Sequence, residues 1–384
     1  MRIFISAGEP SGDLHGANLA RALQRLCPDV ECVGFGGEHM EAAGCRLLYP
    51  LSRLAVMWFA RVAAKLPTFL RALSAADRSF RHARPDAVVL IDFPGFNWWV
   101  ARRAHFHDIP TVYFVPPQLW AWAGWRVRKM RRWVRRVLCC LPFEVAWYRD
   151  RGVEAEYVGH PYFDELPQQR LDERFVEEHQ ARPGRIVGLL PGSRTQEVER
   201  NLSTLVETAR RVLARCPDTR FLVACYRPQH RQYVEAYLAG RGLPITPFSG
   251  RTPEIIHLSH CCVAVSGSVG LELLYRGKPA CVVYRIQPLE RLLSRPFITA
   301  RYISLVNLLA DAELFPEYLT DRCAAGPISE HVIRWLTDEE AYRHSREALA
   351  ALRQRVAGSG ACERAARQVL ELAQQGKSAR RRSA

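Results

Sequence analysis

The sequence predicts an α/β protein of two doubly wound domains facing each other across a cleft. Three observations lead there: short apolar runs alternate with helical stretches, the alternation lapses once, and a second set of runs then resumes it. Arg2 to Ala7 reads as the first strand, and GEPSGDLHG after it as a turn into a helix carrying Leu14, Ala17, Leu23 and Leu26. Further strands are expected over Val30 to Gly37, Ala87 to Asp92, Thr111 to Val115, Val137 to Leu141 and Glu156 to Gly159. Asp164 to Gly184 is polar and carries Pro167 and Pro183, so a first domain is expected over 1–165 and a linker over 166–184. Strands at Ile186, Phe221, Cys261 and Ala280 build a second domain over 185–338, helices follow over 339–376, and a basic, disordered tail is expected over 377–384.

The stretch RIVGLLPGSRTQEVERN, Arg185 to Asn201, organises the second half. Ile186, Val187, Leu189 and Leu190 form a buried strand, Pro191 and Gly192 end it, and Ser193 can cap a helix whose first turns carry Gln196 and Glu197. The free N–H groups and positive dipole end of such a helix attract anions, and Arg194 adds a planar cation that can grip a phosphate with two donors. An ordinary strand-to-helix turn with a surface arginine explains the same residues, and there is no GK[ST] as in a P-loop.

A formal charge of +15 asks for an anionic partner: nucleic acid, anionic lipid or a phosphorylated substrate. Seven basic residues fall between Arg126 and Arg136, with Val127, Met130, Val134 and Val137 at helical spacing. They read as a basic amphipathic helix, either a solvated face or a surface for membrane or an acidic ligand. The twelve cysteines lack CxxC spacing, and Cys139, Cys140, Cys225, Cys261, Cys262 and Cys281 sit in apolar runs, which predicts buried reduced thiols. His105 with His107, and His257 with His260, are too few for a metal site. With no apolar run of signal-peptide or membrane-spanning length, the chain is expected to be cytosolic.

In open parallel sheets ligands bind past the carboxyl ends of the strands. Glu9, Ser11 and Asp13 follow the first strand, although Ser11 and Asp13 could equally cap its helix. Asp92 ends Val88–Ile91 ahead of Pro94 and Gly95; stripped of solvation there, it suits a general base, with a structural role bonding loop N–H groups as the alternative. Ser193 and Arg194 follow the strand at Ile186, while Ser266, Gly267 and Ser268 follow Val263–Val265 ahead of a helix bearing Glu272.

Nine segments stand in one order: GEPSGD from Gly8, RLAVMW from Arg53, IDFPGFN from Ile91, PQLWAW from Pro117, LPFE from Leu141, GHP from Gly159, LLPGSR from Leu189, SGSVGLE from Ser266 and NLLA from Asn307. Together they resemble the lipid-A-disaccharide synthase family from Met1 to about Leu319. The resemblance implies a GT-B fold of two Rossmann-like domains. It implies an inverting, metal-independent and cofactor-free transfer of diacylglucosamine from UDP to diacylglucosamine 1-phosphate. Asp92 matches the family's catalytic base, Arg194 its arginine near the donor phosphates, and Glu272 a carboxylate on the nucleotide ribose; Asn307 stands with this UDP-binding set. Without a DxD-like pair, compensation for the leaving UDP falls to Arg194 and to the helix N-termini at Ser193 and Ser268.

Acylated substrates imply a peripheral enzyme on the cytoplasmic face of the inner membrane, meeting anionic lipid. Val56, Met57, Trp58, Phe59, Val62, Leu66, Phe69 and Leu70 supply an apolar patch for it, and core packing is the alternative. Trp58, Arg61, Pro116, Val306 and Thr320 depart from the glycine, acid, serine, proline and glutamine usual in the family, and touch acceptor and acyl-chain detail. Another UDP-sugar transferase or an epimerase would share the nucleotide half. A nucleic-acid binder would use the charge directly, but no RNA or DNA module is recognisable and no nucleic acid is expected. A homo-oligomer is left open.

Overall fold

The computed structural model describes residues 1–51, 66–287 and 301–383. The chain divides into two units, Met1–Glu165 with Gly358–Ala384, and Leu166–Ala357. Unit one holds β1 (Arg2–Ala7), β2 (Glu31–Phe35), β3 (Arg46–Tyr49), β4 (Ala87–Ile91), β5 (Thr111–Phe114), β6 (Arg136–Cys139) and β7 (Ala155–Tyr157) in the order β3-β2-β1-β4-β5-β6-β7. Every pairing in it is parallel, the arrangement that forces a crossover between neighbouring strands and places helices on both faces. Both faces are covered here. Ile3, Ile5, Val89 and Ile91 pack on one side with Ala17, Leu19 and Leu23 of the helix Pro10–Leu26, and Phe4, Val88 and Leu90 pack on the other with Ala101 and Ala104 of the helix Pro94–Phe106. Burying each of the larger of these side chains, Val, Leu, Ile or Phe, contributes about 1.5–3 kcal/mol.

Unit two repeats the plan with β8 (Ile186–Leu190), β9 (Arg220–Cys225), β10 (Ile245–Ser249), β11 (Cys261–Val265), β12 (Ala280–Arg285) and β13 (Glu317–Thr320), ordered β10-β9-β8-β11-β12-β13 and also parallel. The six cysteines expected in apolar runs are all buried and free.

Four features differ from the sequence reading. The segment expected as a linker contains the helix Glu173–Gln180, capped by Asp172 and packed into unit two through Phe175 and His179, whose rings stack 4.2 Å apart. The tail expected to be disordered continues the helix Ala361–Ser383. That helix belongs to unit one: Asp164 accepts from the backbone N–H groups of Gly360, Ala361 and Cys362, and Val369 and Leu372 join the core beneath β1 and β4. The basic helix is shorter than its spacing suggested, spanning Val127–Trp133. Arg136 and Val137 lie in β6, where Arg136 is buried and reaches Glu154 at 2.6 Å and Glu371 at 3.2 Å. Among the described residues, no helix is long and apolar enough to cross a membrane.

Candidate active site

The carboxyl ends of β1, β4 and β5 converge on Asp92. Asp92 and Phe93 have φ of 42° and 47°, and Val115, one residue past β5, has 52°. Left-handed backbone in three non-glycine residues, one β-branched, costs on the order of 1–3 kcal/mol each and persists only where the surroundings enforce it. The enforcing groups are specific. The Asp92 N–H donates to the Val115 carbonyl at 3.2 Å, and the Asp92 carbonyl accepts from Asn97 Nδ2 and from the Tyr113 hydroxyl, each at 2.7 Å. Asn97 is fully buried; its Nδ2 also reaches the Ile91 carbonyl, and its Oδ1 accepts from the Ser6 hydroxyl at 2.7 Å, tying β1 to β4. Burial and then the nearby Asp92 push the Tyr113 phenol well up, so it stays a donor. Pro94 opens the helix Pro94–Phe106 at once, fixing where the Asp92 side chain, half-buried, leaves the sheet.

Beside Asp92 lies the turn after β1. A β-carbon on Gly8 would stand 2.1 Å from the Phe93 ring, so only glycine admits that ring. Glu9 is the half-buried N-cap position of the helix Pro10–Leu26, and Ser11 is exposed in its first turn. Asp13 is buried and committed elsewhere: its carboxylate accepts from the N–H groups of Gly37 at 2.6 Å, His39 at 3.1 Å and Met40 at 3.1 Å. It does cap a helix, but the helix Glu38–Ala42 and not its own.

In unit two, Ser193 and Arg194 follow β8 as expected, and the cap differs. The N-cap position is Arg194, and the carboxylate of Glu197 reaches back to accept from the N–H groups of Ser193 at 3.1 Å and Arg194 at 3.2 Å. Glu197 also meets the Arg194 guanidinium at 3.2 Å, and that side chain is 55% exposed. Gly192, at φ 114°, makes room, since a β-carbon there would stand 2.6 Å from Glu197. The part of an anion at this turn is thus already played by a carboxylate, leaving the first-turn N–H groups of Thr195 and Gln196, which helix geometry gives no intrahelical acceptor. The Thr195 hydroxyl lies 3.2 Å from Nε2 of His230, a buried imidazole that burial, then Arg227, keeps below its usual range.

Past β11, Gly267 and Ser268 are exposed and lead into the seven-residue helix Val269–Tyr275. Ser266 donates to the Ile303 carbonyl at 2.6 Å, and the N–H groups of Ile303 and Ser304 donate to the two oxygens of Glu317 at 2.7 and 2.8 Å. Glu272 is buried, with one oxygen 2.9 Å from Arg276 Nε. Asn307 is wholly buried and fully engaged. Its Nδ2 donates to the Phe315 carbonyl and to Glu317, both at 2.7 Å, and its Oδ1 accepts from the N–H groups of Leu314 and Phe315, both at 2.9 Å. The geometry makes Asn307 the brace of this loop.

The model of the lipid-A-disaccharide synthetase family matches residues 3–372. Lipid-A-disaccharide synthase of Syntrophotalea carbinolica is 35% identical over 97% of this chain and 95% of its own length. That of Myxococcus xanthus is 34% identical over 97% of each. The chain belongs to the lipid-A-disaccharide synthase family. It is therefore a glycosyltransferase of lipid A biosynthesis. The solved UDP-GlcNAc 2-epimerase from Neisseria meningitidis, bound to UDP-GlcNAc, shares the fold at a TM-score of 0.65 and 11% identity, over 96% of this chain and 99% of that one. Glycosyltransferases superpose similarly, and the fold is GT-B.

Within this synthase-family chain, the PQLWAW and LPFE segments meet through Glu144, a residue the sequence reading quoted without a role. Glu144 is buried; Oε1 accepts from Trp120 Nε1 at 3.0 Å, and Oε2 from the N–H groups of Cys140 at 3.2 Å and Leu141 at 3.1 Å. Burial raises its carboxyl from 4.5 to about 7 against the pull of those bonds. Because the folded form binds the proton more tightly than the unfolded chain, stability is full below about 4.5 and falls as pH rises through about 7. Glu144→Gln should shrink the fall in urea midpoint between pH 5 and 8; an unchanged fall would assign it to another group.

Of the apolar patch, Val56, Met57, Trp58, Phe59 and Val62 lie outside the described residues. Leu66 opens the helix Leu66–His82. Phe69 packs on Phe96, rings 5.5 Å apart, which is core packing, whereas Leu70 is 55% exposed.

Proposed function

We propose that the chain condenses UDP-2,3-diacylglucosamine with 2,3-diacylglucosamine 1-phosphate in one inverting displacement, releasing UDP and lipid A disaccharide 1-phosphate. The observation that carries this reading is the setting of Asp92, a carboxylate at a strand end on strained backbone, braced by Asn97, Tyr113 and Val115. A general base benefits from such fixation, because proton transfer needs hydrogen-bond reach at the moment of attack. Asp92 takes the proton of the acceptor hydroxyl as its oxygen bonds to the anomeric carbon, and the bond from that carbon to UDP breaks. Charge on the departing diphosphate meets the first turn of the helix Thr195–Leu213 and Arg194. Glu272 serves the ribose, Ser266, Gly267 and Ser268 border the nucleotide, and Asn307 acts through the loop it braces. Glu9 and Ser11 are left for the acceptor in unit one. The test is to incubate the protein with both diacylated substrates and seek the disaccharide 1-phosphate by mass spectrometry; UDP hydrolysis products alone would overturn the reading.

Arg194→Ala should weaken UDP binding or slow its departure by about 1.5–3 kcal/mol, the scale of a charged hydrogen bond, and chelator should change nothing. Activity lost to EDTA and restored by magnesium would refute the metal-free step.

The acyl chains call for a peripheral site on the cytoplasmic face of the inner membrane, with apolar contact and basic residues each contributing. Trp58 and Phe59 changed together to Ser should lower liposome co-sedimentation more at high salt than at low salt. Parent-like sedimentation at every salt concentration would move the membrane contact elsewhere.

A further inference from the structure

The amino ends of β5, β6 and β7 form the opposite edge of the first sheet from Asp92. They open a cavity of about 840 Å³ whose wall carries Arg84, His105, Arg131, Arg132 and Arg135, with Leu372 of the last helix beside them. That volume lies within the roughly 300–1,000 Å³ of small-molecule sites. The four arginines are exposed, and among the described residues no carboxylate forms an ion pair with Arg131, Arg132 or Arg135. Arg84 donates to the backbone carbonyl of Asp108 at 2.9 Å, which aligns its guanidinium without neutralising it. Two carboxylates share the wall: Glu154 is held by Arg136 at 2.6 Å, so Asp108 alone is left against four guanidinium groups.

A solvated basic helix would spread such charges over a convex face. Here two loops and a helix end gather the arginines around a concavity, and low-dielectric walls focus the potential of like charges inside it. Guanidinium forks grip phosphate oxygens bidentately, and several forks around one concavity suit a group with three or more charged oxygens better than a carboxylate with two. A strand of β5 or β6 is four residues long, so at about 3.3 Å per residue this cavity stands well over 10 Å from the Asp92 edge.

We propose that the cavity is a second anion site, which binds a phosphate monoester or diphosphate group separately from the UDP seat of unit two. The proposal does not depend on the transferase reading. Such a group can come from a soluble phosphorylated compound or from a lipid head group.

Calorimetry on the full chain, first saturated with UDP, should show pyrophosphate binding that falls with salt. Arg131, Arg132 and Arg135 changed together to Ser should weaken it at least about tenfold, while UDP affinity is unchanged. The single exposed change Arg132→Glu should weaken it in the same direction, and serves if the triple variant folds poorly. In a second arm, phosphatidylcholine vesicles doped with phosphatidic acid are compared with vesicles doped with phosphatidylglycerol. Preference for phosphatidic acid, lost in the variants and competed by pyrophosphate, identifies a lipid head group as the source. Pyrophosphate binding without that preference identifies a soluble ligand. No pyrophosphate binding by the parent, or equal affinity in the parent and both variants, overturns the site.

Discussion

Asp92→Asn should retain UDP affinity close to the parent's and lose turnover by about two orders of magnitude or more, the usual scale of general-base loss. The fold should survive, because three bonds that hold the residue act on its backbone: Asn97 and Tyr113 donate to its carbonyl, and its N–H meets Val115. An asparagine keeps all three and tolerates the φ of 42° as well as aspartate does. Near-normal turnover would remove Asp92 from the chemistry. A collapse in thermal stability would instead mark its carboxylate as a structural group.

Asn307→Leu should lower the stability of unit two by roughly 3–6 kcal/mol, since the buried backbone of Phe315, the half-buried N–H of Leu314 and one oxygen of the half-buried Glu317 lose their partners. For a unit of this size that corresponds to a Tm about 10 °C lower or more. UDP binding should weaken as a consequence, because Glu317 also holds the N–H groups of Ile303 and Ser304 next to Ser266. A direct ligand role gives the opposite pattern: unchanged Tm with weaker UDP binding. Differential scanning fluorimetry with and without UDP separates the two.

The interior strands were legible because a strand buried on both faces is a near-continuous apolar run, as in Val88–Ile91 and Cys261–Val265. The three strands that escaped notice, β3, β10 and β13, are all at sheet edges. An edge strand is paired on one side only and packs less: β3 and β13 are half-exposed, and β10 carries Pro247, which an interior strand would exclude. Arg136 misled for a related reason. Its charge suggested a solvated helix face, and only the fold brings Glu154 and Glu371 to it.

The site divides along the same line. The position of Asp92 followed from one strand and the residues next to it. Tyr113 reaches it from β5, and Ser6 of β1 reaches it through Asn97 of the helix that follows, contacts across the sheet which no local pattern announces. Asp13 and Glu197 show the converse. A carboxylate near a helix start signals a cap, but which helix it serves depends on the turn after β2 in one case and on the glycine at 192 in the other.

The central claim is a single displacement with Asp92 as base, and the anomeric configuration of the product tests it most directly. The coupling constant of the newly linked anomeric proton, measured by NMR on the purified disaccharide 1-phosphate, should report a configuration opposite to that of the UDP-linked donor. Retention of the donor's configuration would require a second displacement or a different path, and would contradict the account.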